Sequence, residues 1–585
     1  MLTAQLTKLM EASFLACGYD PAYGQVVTSA RQDLCQFQCN GAMSAAKVYK
    51  KPPFLISDEI IAHLKSTESY KNMFSLAETV KPGFINLSLS DQYLADYIES
   101  IADDHRIGVE VAKDPDKIII DYGGPNVAKP LHVGHLRPAI IGESIKRLFK
   151  FLGHEVIGDV HLGDWGLQMG MIIVEVNRLY PELPYFDPEY EGPYPTEPPF
   201  DFHDLEEIYP IASNRCKEDP DYNEKAKKAT FDLQNGRPGY IALWKHFVDL
   251  SVKDIQTIYN RLDVHFDLWY GESDSNAYVP KIIDTLKSKG ALYESDGAMV
   301  VDVTRPDDKK EIPPIIIYKS DGSILYGTTD LATIEQRVED FDPDYILYVV
   351  DSRQANHFIQ VFRCASDHGI APAKTSLEHI GFGTMNGKDG RPFKTRDGGI
   401  LKLADFIDSI EANAKEKIND KEGVDIDTTA RIVGLATLKY ADLSNYRMKD
   451  YVFDLDKFSS FEGKTGPYIL YTYVRINNIM NKLNEELFLP NTIMAPSSEV
   501  ERQLMLKIDN LEIALTLAAK DRAPNIICEY VYDLATLANG FYHTHHIINE
   551  KDLAKRGSWM KVLQITQKCL LLCLDLLGIQ VPEKM

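Results

Sequence analysis

Several things are scarce in this sequence, and each scarcity narrows what the chain can be. No apolar run approaches the ~18 residues that a membrane span requires, so no membrane partner is expected. Met1 to Leu15 alternates polar and apolar residues and has no apolar core of signal-peptide length, which makes the cytoplasm the expected location. The eight cysteines form no Cys-x-x-Cys pair. Cys35 and Cys39, like Cys569 and Cys573, stand four apart and on helices would simply share a face, so structural thiols are expected and no zinc or other metal site. Positive charge is also short. The net charge is −23, and Pro181 to Pro210 holds nine acids and eight prolines with no Lys or Arg. That segment will not touch phosphate, and its prolines oppose a regular helix or central strand. Residues 431–585, by contrast, carry equal numbers of acidic and basic side chains. Nucleic acid could be bound only where basic residues line a local surface.

What is present is an ordinary globular composition, 44% hydrophobic and 25% charged, over 585 residues, a length that suggests about three or four domains. The most informative stretch runs from Asp121 to Gly153. Lys117 to Asp121 is apolar and β-branched (Ile118, Ile119, Ile120), as in a buried strand. Gly123, Gly124 and Pro125 break it. From His135, apolar residues fall at Ile140, Ile141, Ile145, Leu148, Phe149 and Leu152, one face of a helix, and Gly153 stands where a C-terminal cap belongs. His132 and His135 therefore lie where a strand hands over to a helix. A helix N-terminus presents unpaired N–H donors and partial positive charge, which suits a phosphate chain. The two histidines add donors, Gly134 leaves room for a nucleoside against the backbone, and Lys129 adds a cation. Alone, a His-x-x-His pair is usually an incidental surface feature; the flanking strand, helix, glycine and lysine argue for a site that takes a phosphate chain.

His132-Val133-Gly134-His135 resembles the HIGH motif of class I aminoacyl-tRNA synthetases. The longer string Pro-Asn-Val-Ala-Lys-Pro-Leu-His-Val-Gly-His-Leu-Arg is similar to the version found in arginyl-tRNA synthetases. The resemblance implies that these residues bind ATP and stabilise the transition state of amino-acid adenylation.

The rest of the chain is read around that motif. Residues 1–110 form a small α+β unit, with helical patterns at the start and over Asp58 to Leu76 and a strand over Gly83 to Ser90. Gln38-Cys39-Asn40-Gly41-Ala42 and Gly83-Phe84-Ile85-Asn86 resemble the N-terminal domain of arginyl-tRNA synthetases, which implies a tRNA contact. Residues 111–410 are expected to be a class I Rossmann-like, doubly wound parallel sheet, an α/β fold. Its first half includes a strand at Glu155 to Val160 and the loop His161-Leu162-Gly163-Asp164-Trp165-Gly166, similar to the family's loop beside the amino-acid pocket. An insertion follows at about 181–300, helical from Leu205 to Leu262. In the second half Pro313 to Tyr318, Tyr345 to Val350 and Leu377 to Gly383 read as strands, with helices at Asn356 to His368 and Leu401 to Ile410. Residues 411–585 read as an α-helical bundle, with stripes at Arg431 to Tyr446, Tyr468 to Leu487, Glu499 to Lys520, Ile526 to His546 and Lys561 to Leu577. Tyr468, Tyr471, Tyr473, Arg475 and Asn539-Gly540-Phe541-Tyr542 resemble the family's anticodon-binding domain.

A guanidinium is a planar fork best met by carboxylates. Asp121 ends the first strand, Tyr326 and Asp330 share a helix face, and Gln354 follows the strand ending at Val350. Carried over from the resemblance, Asp121 and Asp330 would hold the guanidinium and charged groups. Asn126 and Gln354 would bind the ammonium or carboxylate end, and Tyr326 would pack over the guanidinium. The family's Lys-Met-Ser-Lys-Ser signature is absent. Lys394-Thr395-Arg396, in a glycine-rich loop, resembles its degenerate arginyl form, with Lys129 as a physical stand-in for the second lysine.

The expected activity is ATP-dependent conversion of L-arginine to arginyl-adenylate and transfer to tRNA(Arg), with tRNA needed for activation itself and Mg²⁺ accompanying ATP. A monomer is expected. The nearest rival is another class I synthetase, such as a cysteinyl or glutamyl enzyme; a cysteinyl enzyme would want zinc-ligand cysteines near its pocket, and none cluster there. A catalytically dead tRNA-binding paralogue would not need His132, His135, Asp121 and Asp330 together.

Overall fold

The computed structural model describes residues 2–31, 33–320, 322–391, 393, 401–418, 425–485 and 492–585. Its centre is a four-stranded parallel sheet in the order Ser376–His379, Tyr345–Val349, Lys117–Tyr122, Glu155–Asp159. The central strands are continuous apolar runs because both faces are covered. Ile118 and Ile120 pack in one core with Ile140, Ile145 and Leu148 of the helix Leu136–Leu152. Ile119 packs in a second core with Leu331 and Phe358, from the helices Tyr326–Phe341 and Ala355–Asp367 on the other side. This two-sided winding puts every strand-to-helix loop at one edge of the sheet, where ligands bind.

The N-terminal unit is α+β, with an antiparallel sheet ordered Val26–Thr28, Phe37–Cys39, Phe84–Leu89, Phe74–Val80. The expected helix over Asp58 to Leu76 is instead a helix Pro53–Ser66, a short helix Glu68–Met73 and the start of the strand Phe74–Val80. Phe74 and Ala77 are buried while Ser75 and Glu78 are exposed, so pairing with Phe84–Leu89 overrides the helical pattern. Cys39 ends a strand and Cys35 precedes it in a loop, so this pair does not share a helix face, whereas Cys569 and Cys573 lie buried on one helix.

The acidic segment gives way to helix earlier than its prolines suggest. Asp201 and Asp204 close a reciprocal cap at the start of Phe202–Glu218, and that helix carries Pro210 inside it. Together with Pro220–Gln234 and Pro238–Arg261 it packs on Leu167–Leu179 through a third core that includes Leu205, Leu233 and Leu243. The strand expected at Pro313 to Tyr318 does exist, as Ile315–Lys319, but outside the parallel sheet: it pairs antiparallel with Ala298–Val301, which pairs with Leu292–Ser295. Ile315 and Ile317 are buried while Ile316 is exposed, so an apolar residue on the solvent side imitated a strand buried on both faces. A division at residue 300 therefore crosses this sheet, and one at 410 crosses the helix Leu403–Lys417.

The C-terminal part is helical: Ile426–Leu443, Gly466–Glu485, Glu499–Asp509, Leu511–Asp521, Asn525–Thr544 and Leu553–Leu576. The stripe over Glu499 to Lys520 is two helices separated at Asn510. Buried Arg137, one residue into the helix after the two histidines, forms an ion pair with buried Asp442 at 2.9 Å and also donates to the carbonyl of Gly383. Among the described residues, no helix is long and apolar enough to cross a membrane.

Candidate active site

The strand Lys117–Tyr122 ends in Gly123 and Gly124, both at positive φ (94° and 38°), which turn the chain away from the sheet edge. Next, the loop at 125–127 joins the loop after the neighbouring strand: Gly163 N–H donates to Pro125 O at 3.0 Å, and Val127 N–H to Gly163 O at 3.0 Å. A side chain at Gly163 would place its Cβ 2.5 Å from Asn126 Oδ1, so Asn126 is seated directly on that glycine.

His132 and His135 cap each other. Gly134 N–H donates to His132 Nδ1 at 3.0 Å, and His132 N–H donates to His135 Nδ1 at 3.1 Å. The rings lie 4.0 Å apart. Both Nδ1 atoms accept, so each neutral ring carries its proton on Nε2. Burial holds His135 at about 3, with the neighbouring His132 adding to the effect. Burial, then the nearby Lys129, pushes His132 down as well. At neutral pH the pair is therefore two neutral N–H donors. A Cβ on Gly134 would stand 2.7 Å from His132 Cε1, so this glycine leaves room for the imidazole itself.

A cavity of about 450 Å³ opens at this turn. Its lining includes Asp121, His132, Gly134, His135, Gln354 and Phe393, which gathers five of the residues expected from the sequence. Asn126, Lys129, Tyr326 and Asp330 lie outside that lining. Lys129 places its ammonium 4.5 Å over the ring of Tyr209, on the helix Phe202–Glu218 that begins within the acidic segment. Lys402 pairs with Glu206 of the same helix at 2.7 Å. Lys394 and Arg396 lie outside the described residues; Phe393, immediately before them, packs against Phe406.

A second group of side chains at this edge of the sheet is acidic. Asp121 is not free to take a guanidinium unaided, because the protein's own Arg337 already occupies it. One Arg337 nitrogen, Nη2, donates to Asp121 Oδ2 at 2.7 Å and to Asp159 Oδ2 at 2.6 Å, and Arg337 is fully buried. Of the two acids expected to hold the guanidinium and charged groups, Asp121 thus already shares one oxygen with an internal arginine. Burial acts to raise both carboxyls; it does raise Asp121, whereas Arg337 and His161 hold Asp159 at about 2. Asp121, Asp159 and His161 are grouped tightly enough to hold a metal ion, but the guanidinium between the two carboxylates supplies the cation there.

Asp330 lies one helical turn after Tyr326, which is 74% exposed at the start of its helix. Asp330 Oδ2 accepts from His357 Nε2 at 2.5 Å. A residue the sequence reading missed, Glu272, belongs to the same group. Its carboxyl is pushed up to about 7, first by burial and then by the charges of Asp164 and Asp330. Segment 268–271 runs beside the strand Glu155–Asp159 through bridges Asp159 to Leu268 and Leu162 to Gly271, which brings Glu272 to the carboxyl edge. It lies within the stretch read as an insertion, and its only local sign was Gly271 before an acid-rich turn. Asp164 accepts from Ser273 N–H at 3.0 Å and Ser273 Oγ at 2.6 Å, tying that turn to the Gly-Asp-Trp-Gly loop.

Two more expected clusters assemble away from the cavity. In the N-terminal unit, Gln38 pairs with Asn86 across the sheet, with Nε2 donating to Oδ1 at 2.9 Å, so its two motif segments are neighbours. In the helical part, Arg475 lies 4.7 Å over the Tyr471 ring and donates to Asn539 at 2.7 Å, beside partly exposed Tyr468 and Tyr542. Phe541 of that motif is core instead.

Family models match along the chain: the arginyl tRNA synthetase N terminal domain over residues 2–89, the catalytic domain of tRNA synthetases class I (R) over 98–455, and the DALR anticodon binding domain over 469–585. The arginine–tRNA ligase of Alkaliphilus oremlandii is 51% identical, and that of Agathobacter rectalis 50%, each match covering at least 99% of both chains. The solved arginyl-tRNA synthetase of Plasmodium falciparum superposes with a TM-score of 0.81 at 26% identity, covering 100% of this chain and 99% of that one. The Thermus thermophilus arginyl-tRNA synthetase shares the fold, with a TM-score of 0.80 at 21% identity over the full length of both chains.

Proposed function

This chain belongs to the arginyl-tRNA synthetase family, and from that premise we propose how its residues divide the reaction. The enzyme is a class I arginine–tRNA ligase: it activates L-arginine with ATP and transfers the arginyl group to tRNA, releasing AMP and pyrophosphate.

The reading rests on one observation, the reciprocal cap between His132 and His135. It commits both Nδ1 atoms, so the Nε2–H groups are the donors left for phosphate oxygens. In the first step the arginine carboxylate attacks the α-phosphorus and the bond to pyrophosphate breaks. Negative charge builds on the phosphoryl oxygens, and preorganised N–H donors favour that state over the ground state. Lys129, released from Tyr209, and the Lys394–Arg396 loop supply cations to the leaving pyrophosphate. In the second step a ribose hydroxyl of the tRNA end attacks the arginyl carbonyl and AMP leaves.

Asp330 and Glu272 take the guanidinium, with Tyr326 over it. Asp121, steadied by Arg337, faces the amino-acid end together with Asn126 and Gln354. Mg²⁺ enters with ATP. The carboxylates that line the cavity, Asp121 and Asp351, are already held by Arg337 and Arg353, so the donor set fits an ion carried by phosphate and water rather than one caged by protein. The N-terminal unit (1–110) contacts tRNA, and the helical part (411–585) reads the anticodon of tRNA(Arg). The enzyme works in the cytoplasm as a monomer.

Pyrophosphate exchange tests this reading when run with each amino acid, with and without tRNA. Exchange is expected with arginine alone, and only when tRNA is present. Comparable exchange with lysine would overturn the carboxylate pocket.

A further inference from the structure

We propose that His357 is a positioning residue that sets arginine affinity by holding the Asp330 carboxylate in the plane the guanidinium needs. The inference rests on the reading of Asp330 as the guanidinium carboxylate.

The two residues come from different helices. Asp330 lies early in Tyr326–Phe341, and His357 lies in the first turn of Ala355–Asp367. His357 Nε2 meets Asp330 Oδ2 at 2.5 Å, and no other hydrogen bond of the Asp330 carboxylate is found among the described residues. An aspartate one helical turn in from an exposed helix start is otherwise free to rotate about its side-chain bonds. Anchoring one oxygen fixes the carboxylate plane and leaves the other oxygen for a ligand. A planar fork gains most from a carboxylate already coplanar with it, because no rotamer freedom is lost on binding. The histidine is itself held: its neighbour Phe358 is buried and stacks on His379 at 4.9 Å, so the start of that helix has little room to shift. Both side chains of the pair are partly exposed, at 30% and 26%, so the contact is not part of the hydrophobic core. Its other acidic neighbour in the group, Glu272, gives Asp330 repulsion rather than an anchor, which leaves orientation to the imidazole.

The test is arginine- and ATP-dependent exchange, with tRNA present, for wild type, His357→Ala, His357→Gln and Asp330→Asn, together with thermal unfolding of each. His357→Ala is expected to raise the arginine KM roughly ten- to hundredfold, the value of a hydrogen bond to a charged group. The kcat and the ATP KM should stay near wild type, which marks the loss of uniform substrate binding. His357→Gln, whose amide nitrogen can reach the position of Nε2, should recover most of the affinity. In Asp330→Asn, adding His357→Ala should change the arginine KM no further. An unmoved arginine KM in His357→Ala, with Asp330→Asn crippled, overturns the positioning role and leaves the pocket standing. An equal rise in KM for ATP and arginine, or a large loss of thermal stability not rescued by Gln, overturns it in favour of a structural role. An unmoved arginine KM in Asp330→Asn overturns the pocket reading, and this proposal with it.

Discussion

The two halves of the site are made in opposite ways. The nucleotide half is local: four consecutive residues, His132 to His135, cap one another, and the strand and helix that flank them aim the donors. The half proposed to take arginine is assembled from afar, with Asp121, Asp164, Glu272, Asp330 and His357 arriving from a strand, a loop and separate helices. A local device depends on backbone geometry and is neutral at working pH. A distributed one depends on buried charges that must be matched across the fold, and so carries the greater electrostatic cost.

The comparison can be broken first at its distributed end. Asp330→Ala should lower kcat/KM for arginine by ~10⁴, the discrimination expected of a site built around a polar partner, with an unchanged circular dichroism spectrum; wild-type turnover would end the assignment. Next in size, Arg337→Met strands Asp121 and Asp159 together in the interior, and urea unfolding should show a loss of about 3–5 kcal/mol. The local end is probed by His135→Ala, which removes both an N–H donor and the partner of the cap. Exchange kcat should fall by ~10²–10³ with the arginine KM held, and a KM change instead would erase the division between the halves. The smallest effect is on pH. Glu272 is raised from 4.5 to about 7 by burial and its acidic neighbours, so the folded protein holds this proton more tightly than the unfolded one. Stability should therefore decline between pH 4.5 and 7 and level off above, and Glu272→Gln should flatten that slope in pH-dependent denaturation. Arginine needs the charged form, so its KM should rise as pH falls below about 7 in wild type and lose this dependence in the variant.

Legibility in the sequence followed the same divide. The strand, the two glycines, the His-x-x-His turn and Gly153 could be read at the right positions because each depends on residues within a few places of it. Gln354 could be picked out because it follows the strand ending at Val350, and Asp330 because of its helical spacing from Tyr326 together with the family resemblance. Glu272 was not, because what brings it to the site is pairing between residues 159–162 and 268–271, which no local pattern announces. Arg337 was hidden for a related reason: a buried arginine in mid-helix looks like any surface arginine until its two acids are seen beneath it. Ile315–Lys319 misled because three successive isoleucines look alike whether one or both faces are covered. Lys394 and Arg396 fall outside the described residues, so their role rests on the motif.

Arg137 carries a consequence for the molecule as a whole. It belongs to the catalytic sheet's first helix, yet its counter-ion, Asp442, sits in the helical part, and both are sealed from water. The pair pins the helix Ile426–Leu443 to the sheet, and parting them would expose both buried side chains and the apolar surface around them to water. Calorimetry should accordingly find the two regions melting in a single transition.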